Sequence, residues 1–543
     1  MVIFFTICYT VNRWCVRLLQ SRGVHMGTKD TADWTIHDAD ALYRIQDWGN
    51  RYFYIGEDGE VYVQLDRNNP ASSFSLLKIA NGLQERGLKL PVLLRFSDIL
   101  DDRIRFINES FLQSMEEAGY QGTYRGVYPI KVNQQQQVIE EITHFGKQYH
   151  HGLETGSKAE LIAAMAYMDD PDSFVICNGY KDEEYIDLAL RALTLGIQTV
   201  LVVEMPGEID VILERSEALR IRPNIGIRMK PSTAAAGHWA ESSGDRSVFG
   251  LNTAQIISVV DRLRETGTID CLKLLHYHLG SQIPNIRSIR RGATEAARLY
   301  AGLAAEGAPM GVLDVGGGLA IDYDGSSTSS GSSRNYSVKE YCDDIIEVIM
   351  GVCEEAGIAH PTIISESGRA LVAYYSVLLV NILDTNTFRS NTEQAEIPPE
   401  LESAVEDLLY VKETLSTKNL QECLNDLNYY REEIRTKFQF GSVNIRERAL
   451  AEHIYWSILA EIYELSKNLE YIPPEIQDLE HQLSDIYYGN FSVFQSLPDV
   501  WAIDQLFPIM PIHHLNELPD RHAILADITC DCDGKIDQFI GRS

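Results

Sequence analysis

Short apolar runs alternate with helical segments through the middle of this chain, and that alternation constrains the fold more than any other feature. The runs cover 126–132, 152–154, 174–178, 200–204, 224–229, 272–278, 312–315 and 362–366. Between them, segments such as 158–168, 183–195 and 289–305 carry apolar residues at three- and four-residue spacing. Eight strands separated by helices predict a (β/α)8 barrel over residues 91–370. The period alone would also permit a doubly wound open sheet.

At 543 residues the chain is too long for one core, and its flanks read as further units. Residues 26–90 read as a short helix and a hairpin, split by the turn residues Gly56 and Gly59, that contribute to a second domain. Residues 371–392 and 486–543 read as the rest of that β-rich domain, with strands expected at 490–496, 501–510 and 523–529. The highly charged, helical stretch 393–485 reads as a bundle inserted into it. Residues 325–335, GSSTSSGSSRN, read as a disordered surface loop. Residues 1–25 read as an extension outside the fold. The apolar run 2–11 lacks a preceding charge and a cleavage site, and it is too short to span a bilayer.

The balance of 47 basic against 78 acidic side chains, a net charge of -31, excludes nucleic acid and anionic membrane as main partners. Nine cysteines, none in a CxxC pair, suit a reducing compartment, so a cytoplasmic protein is expected. The one-residue spacing of Cys530 and Cys532 suits neither a disulfide nor a metal site, which leaves free thiols.

Four features fall at the C-terminal ends of the expected strands, where barrels carry their chemistry. They are Lys131 after the first run, His276 and His278 on the sixth, Asp314 with Gly316, Gly317 and Gly318 after the seventh, and Glu366 with Arg369 after the eighth. Singly, each has an ordinary reading: a solvated lysine, structural histidines, a turn, a surface ion pair. Together they read differently. Glycine amides, the Ser281 hydroxyl and the Arg369 guanidinium make a cradle for a phosphate dianion. Lys131 and Glu366 lie around the same opening. These are the parts that a phosphate-tethered pyridine aldehyde requires: an amine for a Schiff base, an acid at the ring nitrogen and a flat group against the ring.

The motifs YPIKVNQ around Lys131, GLETGSKAEL from Gly152, ICNGYKDEEYI from Ile176, HYHLGSQIPNIR from His276, LDVGGGLAIDYDG from Leu313, SESGRALVA from Ser365 and ITCDCDGKIDQF from Ile528 carry a resemblance. They resemble those of the biosynthetic arginine decarboxylases, pyridoxal-phosphate enzymes of the alanine-racemase-like barrel type, related to ornithine and diaminopimelate decarboxylases. The resemblance runs from Trp34 to Phe539 and includes the helical insertion. It implies that Lys131 bears the Schiff base, His278 stacks on the ring, Glu366 meets the ring nitrogen and Glu154 supports it. Ser281, Gly316, Gly317, Gly318 and Arg369 would hold the phosphate. Val312, Leu313, Asp314 and Asp322 would line the cofactor and substrate site.

The resemblance further implies a homodimer or larger homo-oligomer with shared sites. Cys530 would reach a partner's site and return a proton to the substrate α-carbon, and Asp531 would meet the substrate's distal cation. The implied reaction converts L-arginine to agmatine and CO2, the first step of a route to putrescine and spermidine. Magnesium is implied by resemblance only, and its ligands are unknown.

Three departures stand against the family pattern: Val248 replaces a basic residue, the chain ends at Ser543 soon after the Cys-Asp motif, and residues 1–25 have no counterpart. They keep open a truncated, inactive or regulatory homologue. Ornithine or diaminopimelate decarboxylation is a further alternative, opposed by the helical insertion and the long histidine motif. A metal-dependent amide hydrolase would want its paired histidines on the first strand, and here they lie on the sixth.

Overall fold

The computed structural model describes residues 2–6, 16–18, 34–67, 69–232, 247–388, 403–467, 469, 471–519 and 521–540. Each of the eight apolar runs forms a strand: Tyr124–Pro129, Gly152–Thr155, Phe174–Cys177, Gln198–Val203, Ile225–Met229, Leu272–Tyr277, Val312–Asp314 and Thr362–Ser365. All are parallel, and the eighth pairs with the first, Ile364 opposite Arg125, so the barrel closes and the open sheet is excluded.

Strand alternation sorts the side chains into two shells. Leu153, Val175, Leu275, Leu313 and Ile363 point outward into the core shared with the helices. Val127, Ile176, Val200, Val202, Leu274, Val312 and Ile364 point inward and fill the barrel with a separate apolar layer. Burying each such side chain is worth roughly 1.5–3 kcal/mol, so this layer is a rigid floor. Two residues further along the strands the same inward positions become polar: Asn178, Glu204, Arg228, His276, Asp314 and Glu366.

The second domain is an eight-stranded sheet built on Ser376–Asn386. That strand pairs antiparallel with Val92–Arg95 and with Asp485–Gly489. Asp485–Gly489 runs parallel to Arg521–Ala526, which pairs with Lys535–Ile536. The N-terminal residues correct the expectation that they lie outside the fold. Val2–Thr6 pairs in parallel with both Ser376–Asn386 and Ile509–Pro511, and Val16–Leu18 pairs with Arg521–Ala526. The run VIFFT is rich in β-branched and aromatic residues, which favour a pleated strand over a free tail. The rest of 1–25 lies outside the described residues.

Residues 490–503 also differ from expectation. They form the short helices Val493–Ser496 and Pro498–Ile503 instead of strands. Pro498 opens the second helix with its φ already suited to it, and Asp499 adds an acid to the first turn. The segment 34–90 folds as the helix Ile36–Tyr43 and a three-stranded sheet, Phe53–Ile55, Val61–Gln64 and Ser73–Ser75. It joins the second domain through Val61 N–H to Ile512 O, 2.9 Å, and Leu515 N–H to Gly59 O, 3.1 Å.

Helices Ser403–Thr414, Leu420–Gln439 and Ile445–Ser466 form the bundle around their own core, including Leu408, Leu427, Ile458 and Ile462. Its start, 393–402, lies outside the described residues. The bundle falls between two strands that pair antiparallel, Asn386 opposite Ile486.

The serine-rich stretch 325–335 is pinned, which corrects the expected disordered loop. Ser333 is buried, and its hydroxyl donates to Asp322 Oδ1 at 2.7 Å. Ser332 Oγ accepts from Gln505 Nε2 at 3.0 Å and from Leu506 N–H at 3.1 Å. Its hydroxyls are the partners of polar groups that folding buries. No helix among the described residues is long and apolar enough to cross a membrane.

Candidate active site

The first barrel strand ends at Pro129, and a single 3-10 turn, Ile130–Val132, lifts Lys131 over the polar layer. Its side chain is 59% exposed, toward a cavity of about 440 Å³. Lys131 Nζ lies 3.3 Å from Glu154 Oε1, and the Glu154 side chain is 0% exposed. Burial pulls the amine's pKa down, but Glu154 and Glu366 beside it outweigh that pull and hold it above its ordinary value. Burial and the neighbouring Glu366 push the Glu154 carboxyl up, against the attraction of Lys131.

Gly317 and Gly318 line one wall, and Gly316 and Gly318 have positive φ, 65° and 111°. A Cβ on Gly316 would lie 2.2 Å from Tyr277 O, and one on Gly318 would lie 2.9 Å from Ile283 Cγ1, so the turn admits only glycine. Asp314 Oδ1 accepts from Gly316 N–H at 2.8 Å, and His278 Nδ1 accepts from Gly317 N–H at 3.2 Å. Arg369 Nε donates to Ser281 Oγ at 3.2 Å, and Arg369 Nη1 to the Tyr323 hydroxyl at 3.1 Å. Gly317, Gly318, Ser281, Tyr323 and Arg369 therefore line the same cavity.

Across from Lys131, Glu366 is buried with Oε1 accepting from Asn178 Nδ2 at 2.8 Å. Burial raises its pKa, and Lys131 lowers it in opposition. Burial, with Arg228 and Lys131 nearby, pushes His278 down to about 3, so the ring is neutral. Because Nδ1 accepts a hydrogen bond, the proton of that neutral ring is assigned to Nε2. His276 is also held neutral by burial and lies 3.9 Å from Glu366 Oε1. His278 follows the strand Leu272–Tyr277 by one residue and lines the cavity, whereas His276 does not. Arg228 Nη1 lies 3.2 Å from Glu204 Oε1, which also accepts from Gly179 N–H at 3.0 Å.

Residues 106–373 match the family described as pyridoxal-dependent decarboxylase, pyridoxal binding domain. Residues 398–480 match the arginine decarboxylase helical bundle domain. The chain is 45% identical over 515 residues to the biosynthetic arginine decarboxylase of Thermosynechococcus vestitus, which covers 94% of this chain and 80% of that one. This chain belongs to the biosynthetic arginine decarboxylase family. The family member from Nostoc sp. is 46% identical over 509 residues, 93% of this chain and 74% of its own. The crystal structure of the biosynthetic arginine decarboxylase from Campylobacter jejuni matches with a TM-score of 0.80 at 31% identity, covering 92% of this chain and 81% of that one. A diaminopimelate decarboxylase from M. jannaschii, at 14% identity and a TM-score of 0.56 over 90% of this chain and 84% of that one, shares the fold alone.

The site of this arginine decarboxylase family member fits pyridoxal phosphate. A Cβ at Gly317 would come within 3.1 Å of Glu366 O and 3.2 Å of His278 Cε1, so this wall keeps its room for a ligand only as glycine. Glu154 Oε2 is buried and makes no hydrogen bond among the described residues, as a polar ligand atom would require. Magnesium fits less well. Two groups of three donors within 4.8 Å occur among the described residues, His276–Asp314–Glu366 and His150–Asp170–Asp172. Each includes an imidazole, and magnesium takes oxygen ligands.

The fold brings Lys131, His278, Ser281, Gly317, Gly318, Glu366 and Arg369 to one cavity, with Glu154 against Lys131. Gly316 and Asp314 support the glycine turn from below. Val312 and Leu313 do not line it, which corrects the expectation for that segment. Alternation sends Val312 into the apolar floor and Leu313 out to the helices. Asp322 is turned to Ser327 and Ser333 instead. Cys530 and Asp531 sit in the turn after Arg521–Ala526, exposed and outside this chain's cavity, and Cys530 and Cys532 are free thiols. Val248 is 76% exposed. Sequence reasoning assigned no role to Asn178, Glu204 or Arg228, nor to the second-domain residues Leu497, Asp499 and Phe507 that close the cavity. For the first three a signal was available: each stands two residues beyond an inward position of an apolar run.

Proposed function

We propose that this chain converts L-arginine to agmatine and CO2 with pyridoxal 5'-phosphate held at Lys131, and that the product enters a route to putrescine and spermidine. One observation carries the reading: Lys131, Glu366, a neutral His278 and the Ser281–glycine–Arg369 cradle surround a single cavity in a chain of this family. When bound, pyridoxal phosphate supplies an electron sink for the pair left at the α-carbon as the carboxylate departs as CO2.

The chain's own residues set the conditions for that chemistry. The Gly318 amide, Ser281 Oγ and the Arg369 guanidinium bind the phosphate, and the Tyr323 hydroxyl orients Arg369. His278, neutral and tethered by Gly317 N–H, offers an uncharged flat face. Glu366 keeps a proton on the ring nitrogen, because an adjacent anion favours the charged form of that nitrogen. Lys131 supplies the amine that anchors the cofactor, and Glu154 is placed to take its proton. Leu497 and Phe507 of the second domain exclude water from the mouth.

Cys530 and Asp531 are exposed on this chain and absent from its own cavity, which supports their use in the site of a second copy. There the thiol would return the proton to the α-carbon and the carboxylate would meet the guanidinium. Buried free thiols at Cys177, Cys271, Cys342 and Cys353 support a reducing, cytoplasmic setting.

The test is product analysis. Purified protein with added pyridoxal phosphate is given carboxyl-labelled arginine, with ornithine, lysine and diaminopimelate in parallel. Labelled CO2 and agmatine from arginine alone are expected. Release from ornithine or diaminopimelate in preference, or from none, would overturn the reading.

A further inference from the structure

Asn178 follows the third barrel strand by one residue and stands two positions above Ile176, which points into the apolar floor. The side chain therefore enters the polar layer, where it is 3% exposed. Its backbone is fixed on both sides. Asn178 N–H donates to Thr155 O at 2.9 Å. Gly179 then turns with φ 74°, at a place where a Cβ would lie 2.8 Å from Gly156 O. Gly179 N–H donates to Glu204 Oε1 at 3.0 Å, and the buried Lys181 Nζ donates to Gly179 O at 2.6 Å.

Held in this way, Asn178 Nδ2 donates to Glu366 Oε1 at 2.8 Å. The same amide also bears on Glu154. Lys131, Arg228, Glu204, Glu154, His276 and Asp314 are the charged or titratable groups that face Glu366. Asn178 is the neutral donor set among them. Two carboxylates left to share a site would share a proton, and one would be lost as an anion. A neutral donor satisfies a lone pair of one acid and adds no charge.

We propose that Asn178 is a positioning residue of the cofactor site, which presents the Glu366 carboxylate to the ring nitrogen and keeps it apart from Glu154. The two acids then serve different partners, Glu366 the ring and Glu154 the Lys131 amine. The inference rests on the cofactor reading given under Proposed function. It does not depend on which amino acid is the substrate.

The test compares wild type, Asn178→Ala and the isosteric Asn178→Asp, with Glu366→Gln as reference. The measured quantities are the pyridoxal-phosphate dissociation constant, from quenching of apoprotein fluorescence, and the pH titration of the bound cofactor's absorbance. The kcat and KM for arginine complete the set. Losing a hydrogen bond to an ionised group should weaken cofactor binding about 10- to 100-fold in Asn178→Ala. The absorbance midpoint should move in the direction seen for Glu366→Gln, and kcat should fall while KM holds. Asn178→Asp, which sets a third acid between two, should be worse on each measure. Wild-type dissociation constants and an unmoved absorbance titration in both variants would overturn the proposal. Failure of wild type to act on arginine, with these spectroscopic shifts intact, would instead count against the substrate assignment alone.

Discussion

Lys131 Nζ and Glu154 Oε1 are 3.3 Å apart, an amine that reaches into the cavity paired with a carboxylate that water does not touch. The pair holds the lysine protonated, so the proton must leave before the amine can act as a nucleophile. Glu154→Gln removes the acceptor. Covalent attachment of pyridoxal phosphate, followed by stopped-flow absorbance, should slow by about 10²-fold or more. An unchanged rate would mean that the proton leaves by another path.

Glu366 is the buried acid expected to face the ring nitrogen. Glu366→Gln keeps the shape and removes the charge, so cofactor binding should weaken in the same sense as in Asn178→Ala, and kcat at saturating cofactor should fall by roughly 10²–10³. Steady-state rates beside bound-cofactor absorbance separate the two effects.

Arg369 reaches the cavity through paired contacts with Ser281 and Tyr323. Arg369→Ala should raise the cofactor dissociation constant about 10- to 100-fold, the worth of a charge-assisted hydrogen bond, with little change in thermal stability. Gly316→Ala should do the reverse. A Cβ 2.2 Å from Tyr277 O at φ 65° forces the turn to move, and the folded state should lose about 1–3 kcal/mol in a denaturant titration.

His151 is buried at the start of the second strand, and neither ring nitrogen has a hydrogen bond among the described residues. Burial depresses its pKa from the ordinary 6.5 to about 4. Between these values the unfolded chain takes up a proton that the folded chain refuses. Stability is therefore full above pH 6.5 and is lost as pH falls toward 4, by on the order of 3 kcal/mol from this residue. His513 and His278 are depressed in the same direction and add to the loss. Urea midpoints at pH 7 and pH 4.5 should show a smaller drop in His151→Leu than in wild type.

Sequence periodicity was enough for eight strands alternating with helices, whereas closure of the barrel over an open sheet shows only in the pairing of the eighth strand with the first. Lys131, His278, Glu366 and Arg369 stood out through their joint order at strand ends and through family motifs, and they line one cavity. Asn178, Glu204 and Arg228 were passed over although each continues the inward parity of its strand. A single polar residue after an apolar run looks like the end of a strand, and only barrel closure brings Asn178 to within 2.8 Å of Glu366 across 188 positions. Val312 and Leu313 went astray for a related reason: a motif marks a segment, whereas parity within the strand decides which side chains face the cavity. Short runs near 490–503 fit strand or helix equally, and Pro498 decided for the helix. The serine-rich stretch looked solvated because its partners, Asp322 and Gln505, are set by tertiary structure.

The most direct test of the account is to locate the cofactor's covalent anchor. Protein incubated with pyridoxal phosphate, reduced with borohydride and digested should carry a pyridoxyl group on the peptide containing Lys131, and Lys131→Ala should lose both the label and the release of CO2 from arginine. A label on another lysine, or CO2 release that survives Lys131→Ala, would contradict it.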